Sequence, residues 1–288
     1  MLALIKRNYL LYFRNRSGVL LSLLSAAISF ILYLVFLKQG MHRDWAQLPQ
    51  ANQLLDNWLI SGTLALTGIT TTLAGLNQLV WDRKRQIQTD LLLTDAGPLQ
   101  LQVSYLVSAT IVGIVMQLLM FFGMWGYFNA ADGLTISGSE LLAVFGLIVV
   151  SAAFATLVNA VILKRVRAVD NLGKIATILG TAAGFLVGIY IPVGSLPSFA
   201  QTLVKLTPES YVASLYRQAL MSDTLNHVFN HQMTAQAYFE RLMGVRLNWS
   251  GLLTTSQTYQ IMGYIFLGCL LAVLIAQYRQ RRRIQRLN

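Results

Sequence analysis

The chain has 288 residues, 55% of them hydrophobic and only 11% charged, with a formal net charge of +11. Soluble domains carry about a quarter charged residues, so this composition cannot build a water-facing surface, and lipid must cover most of it. The basic excess is accounted for by membrane topology and anionic lipid. Without aromatic–basic interleaving it does not point to nucleic acid.

In chain order, the segment MLALIKRNYLLYFRNRS (residues 1–17) places Leu2, Ile5, Tyr9 and Phe13 on one helical face and its cations on others. That pattern predicts a helix lying in the inner membrane interface, with a solvated basic lead-in as the alternative. Six windows then lack Asp, Glu, Lys and Arg: 18–37, 59–80, 103–128, 141–163, 175–196 and 258–278. Each is close to or above the roughly 20 residues that cross the hydrocarbon core as a helix. Strict apolar–polar alternation is missing, so the spans are helices and not barrel strands. The first window is too long for a cleaved signal peptide and no small-x-small site follows it, so it reads as a retained anchor.

Lys and Arg set the orientation. With both termini cytoplasmic, sixteen of the 22 cations fall inside and six outside. The predicted fold class is therefore an all-α integral membrane protein. It has six transmembrane helices, an N-terminal interfacial helix and a re-entrant helical hairpin before the last span. Residues 1–288 form one transmembrane domain.

Within span two, Thr63, Thr67, Thr71, Ala74 and Gln78 recur at three- or four-residue steps. Such a mildly polar stripe marks a helix–helix contact or a water-exposed path. The other mid-membrane polar groups are the amides Gln117 and Asn159. No carboxylate or cation falls inside a window, so a proton relay has no obvious members. Span five repeats Gly180, Gly184 and Gly188, with Gly173 and Thr177 extending the face. That spacing suits close backbone approach within the chain or across a dimer axis.

The block WDRKRQIQTDLLLTDAGP (81–98) puts six charges between two charge-free runs. It predicts an amphipathic inner helix with Ile87, Leu91 and Leu92 or Thr94 on one face, Leu93 beside it, and Gly97–Pro98 as its end. Arg83, Lys84 and Arg85 would meet lipid head groups. Lipid anchoring does not need three consecutive leucines, so they point to a protein partner. A solvated interfacial helix is the alternative.

After span five, Pro192, Pro197 and Pro208 interrupt a segment that stays apolar, and proline stops or kinks helices. Apolar but broken helix at the outer edge reads as a re-entrant hairpin packed in protein, within an outer segment 197–257. Glu140 and Glu209 sit near this edge as interface anchors. His227 and His231 have i,i+4 spacing without a third ligand, so surface histidines are expected and no metal site. Cys269 is alone, which excludes an intrachain disulfide. GxxxxGK[ST], HExxH, GxSxG and CxxC are absent, so the chain has no phosphate loop and no familiar catalytic motif.

LIKRNYLLYFRNRS before span one, the DRKRQIQTDLLLTDAGPLQLQVSYLVS block and GIYIPVGSLPSFAQTLVKLTPESY together resemble the ABC-2 type permeases, the membrane subunits of ATP-binding-cassette exporters. The resemblance implies a half-transporter without its own ATP site, which is not an enzyme. Two ABC ATPase subunits would bind the ATP and Mg, and a second permease copy, identical or not, would complete a dimer in the plasma (inner) membrane of a bacterium.

It further implies a coupling helix at about Asp82–Asp95, docking on the ATPase through Asp82, Arg83, Lys84, Arg85, Ile87, Thr89, Asp90, Leu91, Leu92 and Leu93. Asp82 stands where the family often has Glu. The stripe Thr63–Gln78, Gln117, Asn159 and Gly180–Gly188 become pathway or dimer seam, and Pro192, Pro197 and Pro208 an outer gate. An uncharged path suits a hydrophobic or amphiphilic cargo, such as a drug, lipid-like molecule or peptide. The competing readings are a non-transporting membrane scaffold or sensor and a lipid-modifying membrane enzyme.

Overall fold

The lead-in helix and the first span meet at one residue. Helix α1 (Leu2–Arg14) ends where Asn15 leaves helical backbone angles, and the Asn15 side chain accepts a hydrogen bond from the Gly18 amide at 3.1 Å. That bond caps helix α2 (Arg16–Leu32), satisfying one of the orphan donors of its first turn. A π-turn at Tyr33–Leu37 joins α2 to α3 (Lys38–Asp44), giving one continuous apolar rod. The computed structural model describes residues 1–93, 97–164, 166, 168–230 and 232–285, with side chains to residue 275.

Helix α4 (Ala51–Lys84) follows, then the short α5 (Ile87–Leu92), α6 (Pro98–Asp132) and α7 (Gly138–Leu163). Ser137 and Glu140 form a reciprocal capping box that starts α7. Glu140 is therefore a cap as well as a residue near the membrane edge. Helix α8 (Asp170–Leu186), a 3₁₀ turn at Val193–Ser195, α9 (Ser198–Leu206), α10 (Pro208–Phe229), α11 (Met233–Met243) and α12 (Thr255–Gln285) complete the chain.

Helix α4 is the axis of the molecule. At 34 residues and 1.5 Å per residue it is about 50 Å long. Its most apolar window is 94% buried, against 22% for the first rod and 17% for α12. It packs on α2, α6, α7, α8 and α10, so the other helices shield it from lipid. Trp58, Leu59, Leu66, Phe121, Phe128 and Tyr216 centre the main apolar cluster. In lipid, where tails are as apolar as leucine, close packing and interhelical hydrogen bonds hold such helices together.

Five of the described helices are long and apolar enough to cross a bilayer: Arg16–Asp44, Ala51–Lys84, Pro98–Asp132, Gly138–Leu163 and Thr255–Ile275. Span five departs most from its expected 175–196. Helix α8 starts at Asp170, has 17 residues and stops at Leu186. Gly188 adopts φ +71°, and the Ile189 amide bonds back to the Gly184 carbonyl at 3.0 Å, a left-handed helix stop that favours glycine. The apolar run continues to Leu196 because Ile189 and Val193 are buried in protein. Hydropathy does not distinguish that from a membrane helix.

Other boundaries also differ. Spans two and three extend well beyond 59–80 and 103–128, and the expected outer loop between spans one and two contains α3 and the first turns of α4. Ionisable groups do enter the spans: Asp56 and Asp82 of α4 are both fully buried. Pro192 precedes the 3₁₀ turn, Pro197 precedes α9 and Pro208 opens α10, so each proline starts an element and none kinks one. Helices α9 and α10 meet at Thr207, which ends the one and caps the other, and α10 packs on α4. His231, Thr94, Asp95, Arg165 and Arg167 lie outside the described residues, as do the side chains of the C-terminal arginine cluster.

Candidate functional site

The loop between α4 and α6 is built around one carboxylate. Asp82 accepts hydrogen bonds from Arg7 Nη1 at 2.7 Å, Arg7 Nη2 at 3.2 Å, the Tyr105 hydroxyl at 2.6 Å and Gln78 Nε2 at 2.5 Å. Helices α1, α4 and α6 are thereby joined at one end of the bundle. The hydrogen bond to Asp82 is the main reason the Arg7 guanidinium is held above its usual range, with burial opposing it. Desolvating an aspartate is costly, and four donors on its two oxygens offset that cost.

The expected helix from Asp82 to Asp95 gives way to two elements. Asp82, Arg83 and Lys84 end α4, Arg85 leaves the helix, and Gln86 takes a left-handed φ of 62°. Only Ile87–Leu92 forms a new helix. Asp82 is thus an internal strut, not part of an exposed docking face. Ile87 and Leu91 are half-buried, and Leu91 packs on the inner apolar cluster with Leu101 and Tyr105. The outward face carries Lys84, Arg85, Thr89, Asp90, Leu92 and Leu93, with Leu93 84% exposed. Two further bonds hold the turn: Gln88 Nε2 to the Leu79 carbonyl at 3.1 Å, and the Thr89 hydroxyl to Gln86 Oε1 at 3.2 Å.

The span-two stripe is inside the chain. Thr63, Thr67 and Thr71 are fully buried. Thr67 and Thr71 donate to carbonyls four residues back at 2.7 and 2.6 Å, and Thr63 Oγ1 has no partner among the described residues. Asn159 of α7 donates to the Ile69 carbonyl at 2.8 Å and to the Thr72 hydroxyl at 2.9 Å. Gln117 Oε1 accepts from Ser151 and Tyr216, each at 2.8 Å. These amides tie α6, α7 and α10 to one another and to α4.

The glycine series of α8 does not form one continuous helical face. Gly180 lies against Ser25 of α2, Gly184 against Tyr190, and Gly188 is outside the helix. Gly173 faces open space.

Arg217 and Glu209 carry a signal that sequence reading missed. Arg217 is 1% exposed and donates at 3.0 Å to the Gly244, Val187 and Gly188 carbonyls, with its guanidinium 5.2 Å from the Trp58 ring. Trp58 Nε1 donates to the Met243 carbonyl at 2.7 Å, adding a second tie between α4 and this outer layer. Glu209 is likewise buried, and both carboxylate oxygens lack a partner among the described residues, so it is not a surface anchor. Their clue was an isolated charge inside an apolar helical stretch.

The profile of the ABC-2 type transporter family matches residues 1–221, spanning α1 through most of α10. The chain belongs to the ABC-2 type transporter family. Comparison with curated proteins gives no match. As an ABC-2 chain it is a multi-pass membrane permease, and permeases of this family generally work with an ABC ATPase in a separate chain.

Proposed function

We propose that the chain is the membrane half of an ATP-driven exporter for a hydrophobic or amphiphilic cargo, worked by two ATPase subunits through the loop that carries α5. The observation that carries this reading is the pair Leu92 and Leu93, 36% and 84% exposed at the end of a six-residue helix whose other leucine is packed. An exposed apolar tip flanked by Lys84, Arg85 and Asp90 fits a cleft on a protein partner better than bulk water.

In this reading α8 is the fifth of six crossings. Its 17 residues reach the lower limit for a span, and six crossings place both termini on the cytoplasmic side of a bacterial plasma membrane. The α9–α10 hairpin is the re-entrant element, with Pro192, Pro197 and Pro208 fixing the turns of the outer gate. Two permease copies face one another.

ATP and Mg²⁺ belong to the ATPase, which closes on ATP and moves each α5. Because Asp82 binds α1 and α6 together at the foot of α4, that push reaches three helices at once. Only a free-energy difference between the two ATPase states can drive the cycle. The Thr63, Thr67, Thr71 and Gln78 side of α4, with Gln117, Asn159 and the Gly180–Gly188 segment, is packed within the chain at rest and becomes pathway or dimer seam only when the helices around α4 part.

The test is co-purification of the ATPase in mild detergent with the wild-type chain and with Leu92→Asp/Leu93→Asp. An ATPase bound by wild type and lost in the correctly inserted variant supports the reading. An inserted wild-type chain that captures no ATPase defeats it, and the scaffold reading then leads.

A further inference from the structure

Between α1, α2, α4 and α8 lies a cleft of about 430 Å³, inside the ~300–1,000 Å³ range of small-molecule sites. Its lining is mixed: Leu21, Leu73 and Ala176 are apolar, and Asn8, Asn77 and Arg85 are polar. Asn8 and Arg85 lie where α1 meets the foot of α4.

Two observations point to an absent ligand. Asn8 is only 3% exposed, yet its Nδ2 donor has no partner, and Asn77 Oδ1 is also buried and unpartnered, both among the described residues. Buried amide groups are rarely left unpaired, because each costs the desolvation it does not recover. Moreover, Arg85 is the single charged residue lining the cleft among the described residues, held 4.9 Å over the Trp81 ring. Arg7, the nearby cation of α1, is already engaged by Asp82. Among the described residues no carboxylate lines the cleft, and the free Asn8 donor beside the Arg85 guanidinium suits an acceptor carrying negative charge.

We propose that this cleft binds one amphiphile, its anionic head against Asn8 and Arg85 and its hydrocarbon tail between α2, α4 and α8. The proposal deepens the permease reading and rests on it for its role: the cleft is where an acidic amphiphile from the inner leaflet is held beside α4. The same chemistry has two sources, an anionic phospholipid of the bilayer or a single-chain acid carried as cargo.

The experiment places the full chain in phosphatidylcholine nanodiscs and adds three probes with a diazirine in the acyl chain: phosphatidylglycerol, a fatty acid and phosphatidylcholine. After illumination the adducts are mapped by peptide mass spectrometry. The expected result is labelling at Leu73, Ala74 and Ala176 that is about fivefold stronger for an anionic probe than for phosphatidylcholine, the preference one cation confers near a membrane surface. Arg85→Gln should erase that preference. Gly173→Leu, whose side chain enters open space, and Ala74→Phe should each abolish labelling without altering thermal unfolding. Phosphatidylglycerol labelling alone assigns a bilayer lipid, and fatty-acid labelling alone assigns a cargo-like ligand; either supports the site. Equal labelling by all three probes, or labelling unchanged by both filling variants, overturns it. The assay contains no ATPase, so failure of the docking test leaves its outcome intact, and the converse also holds.

Discussion

Arg7 on α1 and Asp82 on α4 are 75 positions apart in sequence and 2.7 Å apart in space. Asp82 is fully buried, so removing its charge strands Arg7 and two further donors, Tyr105 and Gln78. Breaking a buried pair from one side costs about 3–5 kcal/mol, whereas replacing both partners with apolar residues is often close to neutral. Asp82→Asn keeps some hydrogen bonding and should cost about 3 kcal/mol. The double variant Arg7→Met/Asp82→Leu should recover most of that. Unfolding in detergent checks both, and hydrogen exchange should rise in α1 only for the single variant.

Leu91 and Leu93 are two positions apart and should respond in opposite ways. Leu91 packs on the cluster of Leu101 and Tyr105, and Leu93 is 84% exposed. Leu91→Ala should therefore destabilise the chain by about 1–2 kcal/mol, and Leu93→Ala by less than about 0.5. If α5 is the docking tip, ATPase capture should show the reverse order, weakened mainly by Leu93→Ala. Paired unfolding and pull-down measurements separate the two effects.

These contrasts show what the sequence made legible. Spans one, four and six could be placed because charge-free windows are long and bounded by charges or caps, as at Asn15 and Ser137. The inner block at 81–98 was visible as a charged interruption, and its leucines as apolar excess. Its split at Gln86 was not, since a left-handed glutamine has no compositional mark. Neither was the role of Asp82, whose partner Arg7 is set by tertiary packing. The end of α8 was hidden because burial in protein and burial in lipid select the same residues from Gly188 to Leu196.

The Gln117–Ser151–Tyr216 triangle offers a measure of polar glue in the bundle. Tyr216 lies 2.8 Å from both Gln117 Oε1 and Ser151 Oγ. Tyr216→Phe removes both contacts but leaves Gln117 bonded to Ser151, so no acceptor is orphaned. The cost should be about 1 kcal/mol, near typical interhelical hydrogen bonds in membranes. Gln117→Leu should cost more, because it removes the acceptor that Ser151 and Tyr216 share and puts a branched apolar side chain beside Gly68. Unfolding midpoints of both variants and of the double variant give the coupling.

Glu209 makes stability fall as pH rises. Burial holds its carboxyl up at about 8, against 4.5 in the unfolded chain. Between those values the folded state keeps a proton that the unfolded state has released. Its contribution is fully favourable below about 4.5, declines through the interval and is lost above 8. Glu209→Gln supplies a permanently neutral side chain. The stability difference between the variant and wild type should be small at pH 5 and grow in the variant's favour toward pH 8, read by thermal unfolding at each pH.

Arg217 holds three backbone carbonyls in one place: Gly244 at the end of α11, and Val187 and Gly188 where α8 stops. The planar fork of a guanidinium can serve all three, whereas a lysine ammonium on the same stem is a single point donor. Arg217→Lys should therefore lose part of the stabilisation. Arg217→Met, which leaves all three carbonyls without this donor, should lose about 3 kcal/mol or more. Hydrogen exchange should then quicken at Val187–Ile189 and at Val245 before it changes in α4, since α4 keeps its contacts with α6 and α7. In the permease reading the Met variant should also keep its ATPase, because α5 lies at the other end of α4, and yet fail to export. Loss of both together would mean that Arg217 supports the whole bundle and not the outer layer alone.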